Sequence, residues 1–304
     1  MARNVPYIVL ITAKVLISVV LLWWVFSRIN MVSVGAAFSN LSLAVIVSSV
    51  TIFLVAHLVN AFKLSIFLPQ TSISVLIRQT FVALLYGTVL PGQLVGDAVK
   101  AYRISSSTKN RGFVVVAVLV DKVIGLVALM LLTVMGLWVE RAVFPPQFVT
   151  IAVALLLVLF LLLYLPLLGR VLPAWLQDSL GRVLMVWYPC IQNVWRVGWS
   201  LLCNLLFQTL SVFVLVLIGS AMGISLSLFA WCAVFGSVSL VLLLPVSVAG
   251  IGLREGALVT VLGILQVPAG SAVALSLTWL GLTLLGSLVG FITELLPARS
   301  HSED

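Results

Sequence analysis

Residues 90–104 read LPGQLVGDAVKAYRI. The chain around them is apolar, yet Pro91, Gly92, Gly96, Asp97, Lys100 and Arg103 all fall within this stretch. A proline followed by two glycines stops a helix, and the residues after it start a new one. Asp97 then sits in the first turn, where an acid suits the helix dipole. An interrupted helix carrying charges is costly in lipid unless it lines a polar cavity.

The same device returns at residues 244–258, LPVSVAGIGLREGAL. Pro245 stands for Pro91, Gly250 for Gly96 and Arg254 for Lys100, all at one offset of half the chain. That coincidence points to an ancient duplication. Paired interruptions in corresponding halves of an apolar chain are the sequence pointer to a transporter-type site.

Composition sets the class. Of 304 residues, 63% are hydrophobic and 8% charged, with a mean hydropathy of +1.31. This is a polytopic membrane protein with no stretch of ordinary composition for a soluble catalytic domain. Its length suits one membrane domain of about seven to nine apolar segments at ~20 residues each. The net charge of +8 is assigned to cytoplasmic loops facing anionic lipid rather than to nucleic acid. Cys190, Cys203 and Cys232 show no metal-ligand spacing, so neither disulfide, metal nor cofactor is expected. The first apolar segment follows Arg3 and lacks a small-residue cleavage signature, so it reads as a retained helix.

In order, the apolar segments are 7–26, 43–62, 73–90, 113–138, 148–168, 199–222, 228–244 and 272–295, with a returning half-helix at 257–265. His57 and Asn60, one turn apart, read as a polar stripe facing neighbouring helices, with a proton relay as the sharper alternative. Asp121 and Lys122 lie deep in the fourth segment, and an intramembrane acid is a functional candidate by default, with Lys100 or Arg103 as partners. Asn204 and Gln208 share a face. Residues 169–198 mix basic and aromatic residues and read as an amphipathic segment in the interface. Gly286 and Gly290 form a GxxxG packing face.

If each interrupted element enters and leaves on one side, about six spanning helices remain and both termini share a face. With the termini in the cytoplasm, only Arg28, Arg141 and Arg254 fall nearest the outer side, which satisfies the positive-inside rule. The expected fold is an all-α polytopic membrane protein with two re-entrant broken-helix hairpins. Residues 1–304 form a single membrane domain, with halves of about 1–138 and 148–304 as inverted repeats.

A broken helix exposes N–H groups at its new N-terminus, which with the dipole form an anion site. Lys100, Arg103 and Arg254 add full charges, and glycines let backbone approach a ligand. Together these suit a phosphate-bearing lipid headgroup. Asp97, Asp121 and Glu255 would balance the cations in the empty site, or bind a cationic headgroup or coupling ion. Lys100 and Arg103 also read as plain interface cations. Nothing in the sequence suggests hydrolytic chemistry: it has no nucleophile elbow and only His57 and His301 as histidines.

These motifs, with DKVIGL at 121–126 between them, resemble the lysylphosphatidylglycerol synthase transmembrane region family, of flippase-like proteins. The resemblance covers nearly the whole chain. It implies a stand-alone member, because the chain ends at Asp304 without the aminoacyl-transferase domain of the bifunctional synthases. It implies a role in lipid translocation, and motif positions Pro91, Gly92, Gly96, Asp97, Lys100, Arg103, Asp121, Lys122, Gly125, Gly250, Gly252, Arg254 and Glu255. The expected activity is transfer between leaflets of a phospholipid or polyprenyl-phosphate-type lipid with an anionic or aminoacylated headgroup, in the inner membrane. Two alternatives stay open: an accessory protein presenting an envelope lipid to a biosynthetic enzyme, and an integral-membrane transferase. Oligomerisation is open as well.

Overall fold

The computed structural model describes residues 31–90, 94–106, 110–168, 174–244 and 250–295, with isolated residues outside these stretches. Pro91, Gly92, Pro245 and most of the first apolar segment lie outside the described residues. Among the described residues every regular element is helical. In chain order these are α1 (Met31–Ser39), α2 (Leu43–Ser65), α3 (Ile73–Val89), α4 (Leu94–Ser106), α5 (Arg111–Val139) and α6 (Pro146–Leu163). After a short 3₁₀ turn, Leu165–Leu168, come α7 (Ala174–Ile191), α8 (Val194–Ala221), α9 (Leu228–Leu242), α10 (Leu253–Ile264) and α11 (Ala269–Leu295).

Five of these, α2, α5, α6, α8 and α11, are long and apolar enough to cross a bilayer. The other helices of the two interrupted segments are not. At ~1.5 Å per residue, α3 and α9 reach only about 22–25 Å, short of the ~30 Å hydrocarbon core. Each is followed by a second short helix that folds back on it, α4 on α3 and α10 on α9. In each interrupted segment the first helix ends and a second begins, α3 at Val89 and α4 at Leu94, α9 at Leu242 and α10 at Leu253.

The turns close for local reasons. Gly96 brings α4 against α3 so tightly that a Cβ there would collide with the Ala83 carbonyl oxygen. At the second break Gly250 and Gly252 hold φ of 74° and 81°, a left-handed backbone that glycine adopts without strain. The sequence places the returning half-helix from residue 257, whereas α10 begins at Leu253. Glu255 starts it early by reaching back to accept the Gly252 N–H at 2.5 Å. In the same way α8 starts at Val194 and not at 199, because Asn193 caps it through a 3.2 Å bond from the Arg196 N–H. The short α1, packed on α11, carries no sequence signal of its own.

The helices pair in a pattern that maps onto itself when numbering is shifted by half the chain. That shift carries α2, α3, α4 and α5 onto α8, α9, α10 and α11. The strongest pairs are α2 with α8, α3 with α11 and α5 with α9, and the last two exchange under the shift. Helix α5 is the axis and is mostly buried, whereas α6 is largely exposed and lies at the periphery. The amphipathic α7 packs on α5, with the Trp187 indole N–H donating to the Leu163 carbonyl at 3.1 Å.

The hairpin contact is testable by volume. Gly96→Val should lower stability by roughly 1–3 kcal/mol through overpacking against Ala83. Gly281→Ala, which meets open space inside α11, should not lower it. Thermal unfolding in detergent reads both, and equal effects would deny the close approach.

Candidate functional site: a charged cavity between the two hairpins

The two hairpins and α2, α5, α8 and α11 enclose one cavity of about 320 Å³. Of the residues singled out from sequence, Gly96, Asp97, Lys100, Asp121, Lys122, Gly125 and Arg254 line it. Residues 90 positions and more apart in sequence thus meet around one space. The rest of its wall mixes apolar and aromatic side chains, among them Phe53, Phe207, Phe235 and Trp279, with neutral polar ones such as Asn60, Asn204 and Gln208.

On one wall the charges form a chain of alternating sign. Lys122 Nζ lies 2.8 Å from Asp97, whose other oxygen is 3.2 Å from Lys100 Nζ. Asp121 lies 3.2 Å from Lys63 Nζ, and Lys63 also donates to Asn204 Oδ1 at 2.6 Å. Asn204 is itself held by donating to the Ser200 carbonyl at 2.9 Å. Lys63, Lys100 and Asp121 are each at most 5% exposed. Ions so far from water persist only when paired, and here each has a partner of opposite sign.

The partner of Asp121 differs from the sequence expectation. Lys100 or Arg103 was the natural choice because both lie in the neighbouring motif, but the close ion pair is with Lys63. Arg103 does not line the cavity. Its guanidinium holds Glu294 through two bonds of 2.6 and 2.7 Å, donates to the Tyr86 hydroxyl at 3.1 Å and sits over that ring. It ties α4 to α11 and α3. Lys100, by contrast, is buried in the cavity rather than an interface cation.

The second break also departs from expectation. Its helix N-terminus is not an open anion site, because Glu255 takes the Gly252 N–H and accepts from Ser276 Oγ at 2.7 Å. Glu255 is 1% exposed and does not line the cavity, whereas its neighbour Arg254 does, over the Trp279 ring. Gly250 and Gly252 shape this turn. No group of three or more His, Cys, Asp or Glu that could hold a metal occurs among the described residues.

Lys63, one residue past the 43–62 apolar segment, is the cation that pairs with Asp121. The signal was available in the i, i+3 and i+6 spacing of His57, Asn60 and Lys63, which places all three on the cavity side of α2. His57 packs among Phe53, Phe81 and Phe207, with Nδ1 2.9 Å from the Phe53 carbonyl oxygen. Asn204 and Gln208 line the facing wall from α8, and Gln208 donates to the Gly125 carbonyl at 3.2 Å.

A family model described as the lysylphosphatidylglycerol synthase TM region matches residues 11–290. The chain belongs to this family. No curated protein matches it, and no solved structure does. As a lysylphosphatidylglycerol synthase TM region, it is a multi-pass membrane protein of the lipid-related, flippase-like kind.

The Lys63–Asp121 pair predicts non-additive stability. Lys63→Met alone strands a buried carboxylate and should cost about 3–5 kcal/mol, while Lys63→Met with Asp121→Leu should recover most of that loss. Denaturant unfolding checks it; a double variant no better than the single one would show that the pair is not coupled.

Proposed function

We propose that this membrane protein moves an anionic lipid between leaflets, the headgroup passing through the cavity while the acyl chains stay in the bilayer. One observation carries the reading: a single cavity between two broken-helix hairpins holds Lys63, Lys100, Lys122 and Arg254 against Asp97 and Asp121. Buried basic side chains match phosphate oxygens, and the apolar walls suit the first methylenes of a lipid. The half-chain symmetry of the helix pairs supports two repeats inverted in the membrane, which would expose the cavity to each leaflet in turn.

In this scheme Asp97 and Asp121 hold the lysines while the cavity is empty. An arriving phosphate competes for the same ammonium groups, so substrate entry replaces one set of ion pairs by another without exposing a bare charge to lipid. Translocation is a physical step and asks for no covalent chemistry. The protein would sit in the inner membrane with cytoplasmic termini, and would take a phospholipid or a polyprenyl-phosphate-type lipid, handing on to envelope-building enzymes.

Reconstitution in liposomes carrying a fluorescent anionic phospholipid tests this. Wild-type protein should speed its transfer between leaflets, and Lys100→Glu should reduce the rate at least tenfold while thermal unfolding still reports a folded chain. No acceleration by the wild type would overturn the reading. A bifunctional thiol cross-link between cysteines introduced on α4 and α10, with the three native cysteines replaced by alanine, should stop transfer. If it instead left the protein active in lipid delivery, a presenting role for a separate enzyme would replace the transporter.

A further inference from the structure

The C-terminal ends of α5 and α11 carry one motif twice. Residues 133–140 read TVMGLWVE and residues 287–294 read SLVGFITE, at the offset that also relates Gly96 to Gly250. A hydroxyl, a glycine and a glutamate recur at i, i+3 and i+7, which places all three on one face of a helix. Each of these helices packs on the first arm of the hairpin built by the other half of the chain, α5 on α9 and α11 on α3. A Cβ on Gly136 would collide with the Phe229 carbonyl oxygen, and a Cβ on Gly290 with the Phe81 carbonyl oxygen of α3. Thr133 packs against Gly236 of α9, and Ser287 shares a 2.9 Å hydrogen bond with Thr88 of α3.

Both seams end in a glutamate that grips the hairpin. Glu294 holds Arg103 of α4 by two bonds, and Glu140 accepts from the hydroxyl of Ser227, the N-cap of α9. Three helices able to span, α6, α8 and α11, separate the two glutamates, so the grips lie on opposite faces of the membrane. Arg103 and Glu294 are 30% and 28% exposed, so they can part at the cost of a surface pair, which the buried Lys63–Asp121 pair cannot. Each grip holds a helix that brings residues to the cavity: Asp97 and Lys100 on α4, Phe235, Ser239 and Leu242 on α9.

We propose that Glu140 and Glu294 are counterpart latches on opposite faces, each holding shut the seam between one hairpin and the spanning helix it rests on. Release of Arg103 from Glu294 lets the first hairpin part from α11 and uncovers the cavity on that face. Release of Ser227 from Glu140 does the same for the second hairpin and α5. This rests on the translocation reading for its purpose and supplies its gates.

Thiol labelling reads the seams directly. With Cys190, Cys203 and Cys232 replaced by alanine, Ser287→Cys and Thr133→Cys each bury one probe in one seam. A polar maleimide added to the full chain in lipid nanodiscs reacts with such a probe in proportion to the time its seam is open. Glu294→Gln should raise the Ser287→Cys rate about fivefold, as for loss of a well-formed, partly exposed ion pair, and leave the Thr133→Cys rate unchanged. Arg103→Gln should match it, and the two changes together should do no more than either alone. Glu140→Ala should raise the Thr133→Cys rate only. A probe unmoved by the glutamate variant of its own seam, a rise in both probes at once, or multiplied effects of Arg103→Gln and Glu294→Gln would each overturn the latches. The labelling needs no lipid substrate. A chain whose seams open as expected but which speeds no lipid transfer in liposomes would lose the transport reading and keep the latches.

Discussion

A polypeptide that stops being helical inside hydrocarbon has no water to satisfy its freed N–H and C=O groups, so the surrounding protein must do it. That constraint explains the shape of this molecule. The two short arms, α4 and α10, lie against α3 and α9 and are enclosed by the longer helices α5 and α11. At the second break Glu255 accepts the Gly252 N–H with one oxygen while its other takes the Ser276 hydroxyl. Glu255, so used, does not line the cavity that its neighbour Arg254 faces.

Once broken helices are buried, charge can be buried with them. Lys63, Lys100 and Asp121 are almost wholly removed from solvent, and each is held by a partner from another turn or another helix. Such pairs contribute little net stability, because desolvation offsets the attraction. Their gathering on one face of one cavity is the observation on which the proposed anion site rests. Arg103 and Glu294 show the contrasting use of the same chemistry: a partly exposed, two-pronged pair that fastens α4 to α11 away from the cavity.

Much of the site was legible in one dimension. Proline, glycine and cation recurring at a fixed offset located both hairpins, and the rule against unpaired intramembrane acids singled out Asp121. Lys63 escaped because a lysine at the end of an apolar run looks like an interfacial anchor. Whether such a side chain reaches outward to headgroups or inward to a carboxylate depends on a helix distant in sequence. Arg103 was misplaced for the converse reason: its motif position is close to Lys100, yet three residues along a helix turn it toward Tyr86 and Glu294.

The sequence by itself determined the solvent, the helices and where they are interrupted, since these follow from local hydrophobicity and from backbone chemistry that proline and glycine alter regardless of context. The tertiary structure decided which ions face each other, and which glycine serves packing and which serves a turn. Those outcomes depend on helices such as α2, α5 and α8 meeting side by side, and pairing energies at a few ångströms are set by positions in space that neighbouring letters in a chain do not encode.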